Sequence, residues 1–77
     1  MTREELPPRR EAVLSFIERY MSSNGFSPTS QEIAAALGLP AVGAVLLHLK
    51  LLERDGFIKR AKHGTRRIEL ISQGEPE

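Results

Sequence analysis

Residues 25–54 read GFSPTSQEIAAALGLPAVGAVLLHLKLLER. Thr29-Ser30-Gln31-Glu32 has the form of a capping box. The threonine hydroxyl takes an amide three residues on, and the glutamate reaches back. Ile33, Ala34 and Leu37 follow at helical spacing, and Gly38 is a stop that tolerates left-handed backbone. Leu39-Pro40 makes the turn. A further helix is expected over residues 41–55, closed by Gly56. Two helices about such a turn form a helix-turn-helix. The second helix of that motif ordinarily turns polar and charged side chains to DNA. Here its outer face offers Gly43, Ala44, Leu46 and Leu47.

Upstream, residues 1–7 read as a disordered lead-in. Pro7 and Pro8 suit a helix start, where the missing donor has no partner to lose. Val13, Ile17, Tyr20 and Met21, with Leu14 and Phe16 alongside, predict a helix over residues 9–23. Asn24-Gly25 ends it. Pro28 biases Ser27 away from helix, so residues 26–28 are extended and could form a short edge strand.

Downstream of Gly56 the apolar period changes. Residues 57–61 and 66–71 read as strands joined through His63-Gly64 as a hairpin tip. In the second strand Ile68 and Leu70 share one face. Arg67, Glu69 and Ile71 share the other. Residues 72–77, SQGEPE, read as a disordered polar tail. The expected fold is therefore α+β and mainly α. It is a three-helix winged helix-turn-helix over residues 8–71, with a C-terminal two-stranded wing. The expected core is Val13, Ile17, Tyr20, Ile33, Leu37, Val45, Leu49, Leu52, Ile58, Ile68 and Leu70.

Composition sets the outer bounds. Seventy-seven residues, 40% hydrophobic and 27% charged, suit one small globular domain. The absence of cysteine excludes disulfides and cysteine zinc sites. It fits a reducing cytoplasm, the expected location. The N-terminus lacks the apolar run of a signal peptide, and no stretch nears the roughly 20 apolar residues of a membrane span. Net charge is only +1, but it is polarised. Residues 59–67 hold five Lys/Arg, one His and no acid. Such a basic end steers toward phosphate, or is simply a solvated hairpin; charge alone does not choose.

Three runs together carry a resemblance: GFSPTSQEIAAALGL, HLKLLERDGFIKR and RRIEL. The chain resembles the N-terminal DNA-binding domain of the LexA repressor family over roughly residues 8 to 71. The resemblance implies a winged domain that binds operator DNA as a dimer, its third helix in the major groove and its wing near the minor groove. It implies in longer relatives a second, self-cleaving Ser/Lys domain, whose chemistry is not assigned to these residues. One segment departs from the family. Where small hydroxyl and then polar or charged residues are usual, residues 39–47 read LPAVGAVLL, without one side chain able to hydrogen-bond a base edge.

The candidate DNA-backbone contacts are Arg9, Arg10, Thr29, Ser30, Lys50, Arg54, Lys59, Arg60, Lys62, Arg66 and Arg67. Thr29 is also explained by its cap, and Arg9 and Arg10 by ordinary surface. The recognition or partner face is Ala41, Gly43, Ala44, Leu46 and Leu47. Three readings of that face stay open: a shifted helix start that tucks a leucine inward, a protein contact, or DNA contact through methyl groups. His48 and His63 stand far apart with no convergent carboxylates, so no metal or other cofactor is expected. No serine has a recognisable base, so the chain reads as a non-enzyme. The expected partner is double-stranded DNA. The alternative is a homodimer or a protein partner through the third helix.

Overall fold

The computed structural model describes residues 2–61 and 68–71. Three helices and a short antiparallel ladder follow in chain order: α1 (Pro8–Asn24), α2 (Ser30–Leu37), α3 (Val42–Arg54), β1 (Ile58–Arg60) and β2 (Ile68–Leu70). The ladder pairs Ile58 with Leu70, Lys59 with Glu69 and Arg60 with Ile68. The three helices pack mutually, β1 lies on α3, and β2 pairs with β1. This is the expected winged helix-turn-helix.

Local chemistry sets each helix boundary. At the start of α2 the capping box forms in full. Glu32 N–H donates to Thr29 Oγ1 at 3.1 Å, and Thr29 N–H donates to Glu32 Oε1 at 2.8 Å. At its end Gly38 takes φ +65°, open to glycine and strained for other residues. Gly38 N–H then returns to Ala35 O and Leu39 N–H to Ala34 O, a Schellman closure. The end of α3 repeats it: Gly56 N–H reaches Glu53 O and Phe57 N–H reaches Leu52 O. Both closures turn the following apolar residue inward, and Leu39 and Phe57 are buried. The end of α1 differs. Gly25 N–H makes a single return to Met21 O, and the following Phe26 is exposed.

The core gathers Val13, Leu14 and Ile17 of α1, Ile33 and Ala34 of α2, Val45, Leu49 and Leu52 of α3, and Ile58 and Ile68 of the ladder. Leu6, Leu39 and Phe57 complete it. Three expected core residues need correction. Leu37 is only partly buried, packed against the cluster. Tyr20 sits at the rim, its ring 5.8 Å from Phe16 and 5.9 Å from Phe26. Leu70 is 39% exposed, although it shares its face of β2 with the buried Ile68: cover by the core reaches the first residue of the strand and not the last.

The lead-in is also corrected. Arg3–Glu5 form a 3-10 turn, and Leu6 is buried. Arg3 fastens this turn to α1. Its Nη1 donates to Glu18 Oε2 at 2.6 Å, and its Nη2 to Glu11 Oε2 at 3.0 Å and Ser15 Oγ at 2.9 Å. The Ser15 hydroxyl and then Arg3 hold the Glu11 carboxyl below its ordinary pKa. A buried apolar anchor and a fork of charged hydrogen bonds outweigh the chain entropy of these few residues.

Residues 26–28 are extended but pair with no strand among the described residues. Ser27 is buried instead, and its Oγ accepts the N–H of Ile68 at 3.2 Å. Left without that acceptor, the buried amide would cost about 1–3 kcal/mol. The expected hairpin tip, His63-Gly64, and the tail 72–77 lie outside the described residues.

Candidate nucleic-acid interface

The axes of α2 and α3 turn through 107° at residues 38–41, the crossing of a helix-turn-helix. That crossing presents one face of α3 outward. Val45, Leu49 and Leu52 point to the core, so residues on the opposite side of the wheel stay wet. Gly43, Leu47, Lys50 and Arg54 form that outward stripe, and all four are exposed. Leu46 on its flank is 45% exposed and Leu47 is 56% exposed. Neither leucine tucks inward, so α3 starts regularly at Val42. Ala41 is its extended N-cap and offers no side-chain acceptor. Ala44 is half-buried.

The candidate cations lie on α1, α3 and β1. Arg9 is exposed at the start of α1, and Arg10 is half-buried behind it. Both lie close enough to α3 to act on His48. Burial first, then Arg10 and Arg9, hold the His48 imidazole below its ordinary pKa. The Nδ1 of His48 and the Nε of Arg10 are both buried without a hydrogen-bond partner among the described residues. Arg9, Arg10 and Lys50 make no ion pair among those residues, whereas two other candidates do. Arg54 Nε meets Asp55 Oδ1 at 3.2 Å, and Arg60 Nε meets Glu53 Oε1 at 3.2 Å. Lys59 is exposed opposite Glu69. Thr29 spends its hydroxyl on the cap, and Ser30 is the first residue of α2. Lys62, Arg66 and Arg67 lie outside the described residues.

Two features of this surface escaped the sequence reading. His48 enters the sequence reading only as a possible metal ligand, yet it feels the charges of Arg9 and Arg10 at the start of α1. That contact crosses between helices and leaves no local signal. Glu53 and Asp55 carry no sign in the sequence of a role at this surface. Each engages one of the expected DNA-binding arginines.

The chain carries the match expected of this geometry: residues 3–67 fit the family model of the LexA DNA binding domain. The chain belongs to that family. Its relatives include the LexA repressor 1 of Geobacter sulfurreducens, 40% identical over 70 residues. The alignment covers 91% of this chain and 35% of that protein. The LexA repressor of Geobacter metallireducens is 42% identical over 71 residues, covering 92% and 35%. That of Leptospira interrogans serovar copenhageni is 42% identical over 74 residues, covering 96% and 36%. This LexA-type domain thus spans about a third of the length of the relatives it matches. It is a winged-helix DNA-binding domain. Among its described residues, no single helix is long and apolar enough to cross a membrane.

The His48 environment of this LexA-type domain gives a pH prediction. A histidine with a depressed folded pKa contributes stability that is full above the unfolded value near 6.5 and is lost as pH falls through the folded value. Urea unfolding should therefore show a falling free energy as pH drops from about 7 to 5. His48→Gln should flatten the profile in that window, which lies above most carboxylate titrations. An unchanged profile in the variant would remove His48 as its source.

Proposed function

We propose that this domain acts in the cytoplasm as a regulator that grips duplex DNA mainly by its backbone, with weak base readout and no catalysis of its own. The observation that carries this is the outward face of α3. No side chain from Leu39 to Leu47 can donate or accept a hydrogen bond, while Lys50 on α3 and Arg9 and Arg10 on α1, near enough to α3 to act on His48, have no ion-pair partners among the described residues. In a helix-turn-helix the second helix enters the major groove, and neighbouring elements hold the phosphates. Here the second helix is α3. Thr29 and Ser30 at the amide-rich start of α2, Lys59 on β1, and Lys62, Arg66 and Arg67 beyond it would supply further backbone contacts.

Each bidentate base contact contributes about 1–3 kcal/mol of discrimination, and α3 has none to give in its first half. Competition between random duplex and the best duplex selected from a random pool should therefore show a ratio well below the ~10³ usual for specific regulators. A ratio at or above that level would mean that base readout lies elsewhere on the surface. A second reading, a homodimer or protein partner held through α3, is favoured by the exposure of Leu46 and Leu47.

A further inference from the structure

We infer that Leu46 and Leu47 read the 5-methyl groups of thymine, which makes this domain a methyl-selective rather than hydrogen-bond-selective reader of the major groove. The inference rests on the DNA-binding reading above and adds what α3 recognises there. A base pair presents only one apolar feature in the major groove, the thymine methyl. The outward half-turn of α3 is its chemical counterpart. Leu46 and Leu47 stand 45% and 56% exposed, with Gly43 before them adding no side chain that would keep the helix from closing on the groove.

Charge selects DNA over a protein as the occupant. Residues 33–52 include no Asp or Glu, so apart from Glu32, whose carboxylate is held by the Thr29 amide in the capping box, nothing acidic on α2 or the first three turns of α3 repels phosphate. Lys50 continues the leucine stripe, and Arg9 and Arg10 bring positive charge to α3 at His48 across the α1–α3 contact. The first acids of α3 and its cap, Glu53 and Asp55, are engaged by Arg60 and Arg54. Area points the same way. Two half-exposed leucines are far smaller than the ~800 Å² per partner of a stable protein interface. They match a methyl or two in a groove whose phosphates supply the remaining affinity.

The test compares an alternating A·T duplex with the same duplex carrying deoxyuridine for every thymine. The exchange removes the methyl and leaves every hydrogen-bonding group. Fluorescence anisotropy at fixed low salt should show weaker binding to the uracil duplex by roughly fourfold per methyl buried. With Leu46→Ala and Leu47→Ala together, the ratio of the two affinities should fall to about one. Equal affinity of the unaltered protein for both duplexes would overturn the inference and leave the DNA reading standing. Failure to bind either duplex would overturn both. Self-association in sedimentation that Leu47→Glu abolishes, with no thymine preference, would assign the face to a second copy and overturn the inference as well.

Discussion

Affinity for duplex DNA should fall by about four orders of magnitude over a tenfold rise in salt, if four or five cations reach phosphates, since each neutralised phosphate contributes about 0.9 to the log–log slope. The expectation follows from which cations remain available. Arg9, Arg10, Lys50 and Lys59 make no ion pair among the described residues, while Arg54 and Arg60 already hold Asp55 and Glu53. Arg9→Ala with Lys50→Ala should flatten the slope by nearly two. Arg60→Ala should change it less, because that side chain must first leave Glu53. Salt-titrated anisotropy with random duplex measures all three. Binding that barely responds to salt would remove the phosphate-grip proposal.

Leu52→Ala should destabilise the domain by about 2–5 kcal/mol, the range for emptying a well-packed leucine site. A domain of this length is expected to hold only about 4–12 kcal/mol in total, so the loss is a large fraction. Leu52 has no exposure, and its carbonyl receives the Phe57 amide that closes α3. A midpoint drop of more than about 10 °C is expected on thermal unfolding. Leu47→Ala, on the opposite side of the same helix, should stay within about 0.5 kcal/mol, as surface changes do. Equal losses at the two sites would mean that the outward and inward faces of α3 have been misassigned.

The architecture was legible because its signals are local. The Thr29–Glu32 box, the stops at Gly25, Gly38 and Gly56, and the switch from helical to alternating period each concern only a few consecutive residues. Leu39 and Phe57 are absent from the expected core because helical apolar periodicity stops at the glycine that precedes each of them. A Schellman closure carries the next residue back over the helix end, so a glycine followed by a large apolar residue was the available signal. Phe26 shows its limit: the single return bond at Gly25 leaves the following residue outside. Leu6 was hidden by a charged, proline-flanked lead-in. Its burial goes with Arg3 reaching Glu11 and Glu18, eight and fifteen positions downstream, pairings that no local spacing announces. Leu70 was misplaced because alternation states which side a residue takes, not how far along the strand the cover by the core reaches. At the candidate interface the outward stripe of α3 was readable from the wheel. The pairing of Arg54 and Arg60, and the approach of Arg10 to His48, required the folded contacts.

The hydrogen bond from Ile68 to Ser27 spans 41 positions of chain. Closing so long a loop costs entropy that only an assembled helical body can offset. The second strand is therefore expected to join after the helices on the folding route. Its amide is shielded only while the segment between α1 and α2 is in place, so exchange with solvent at Ile68 reports the integrity of the helix-turn-helix as well as that of the ladder.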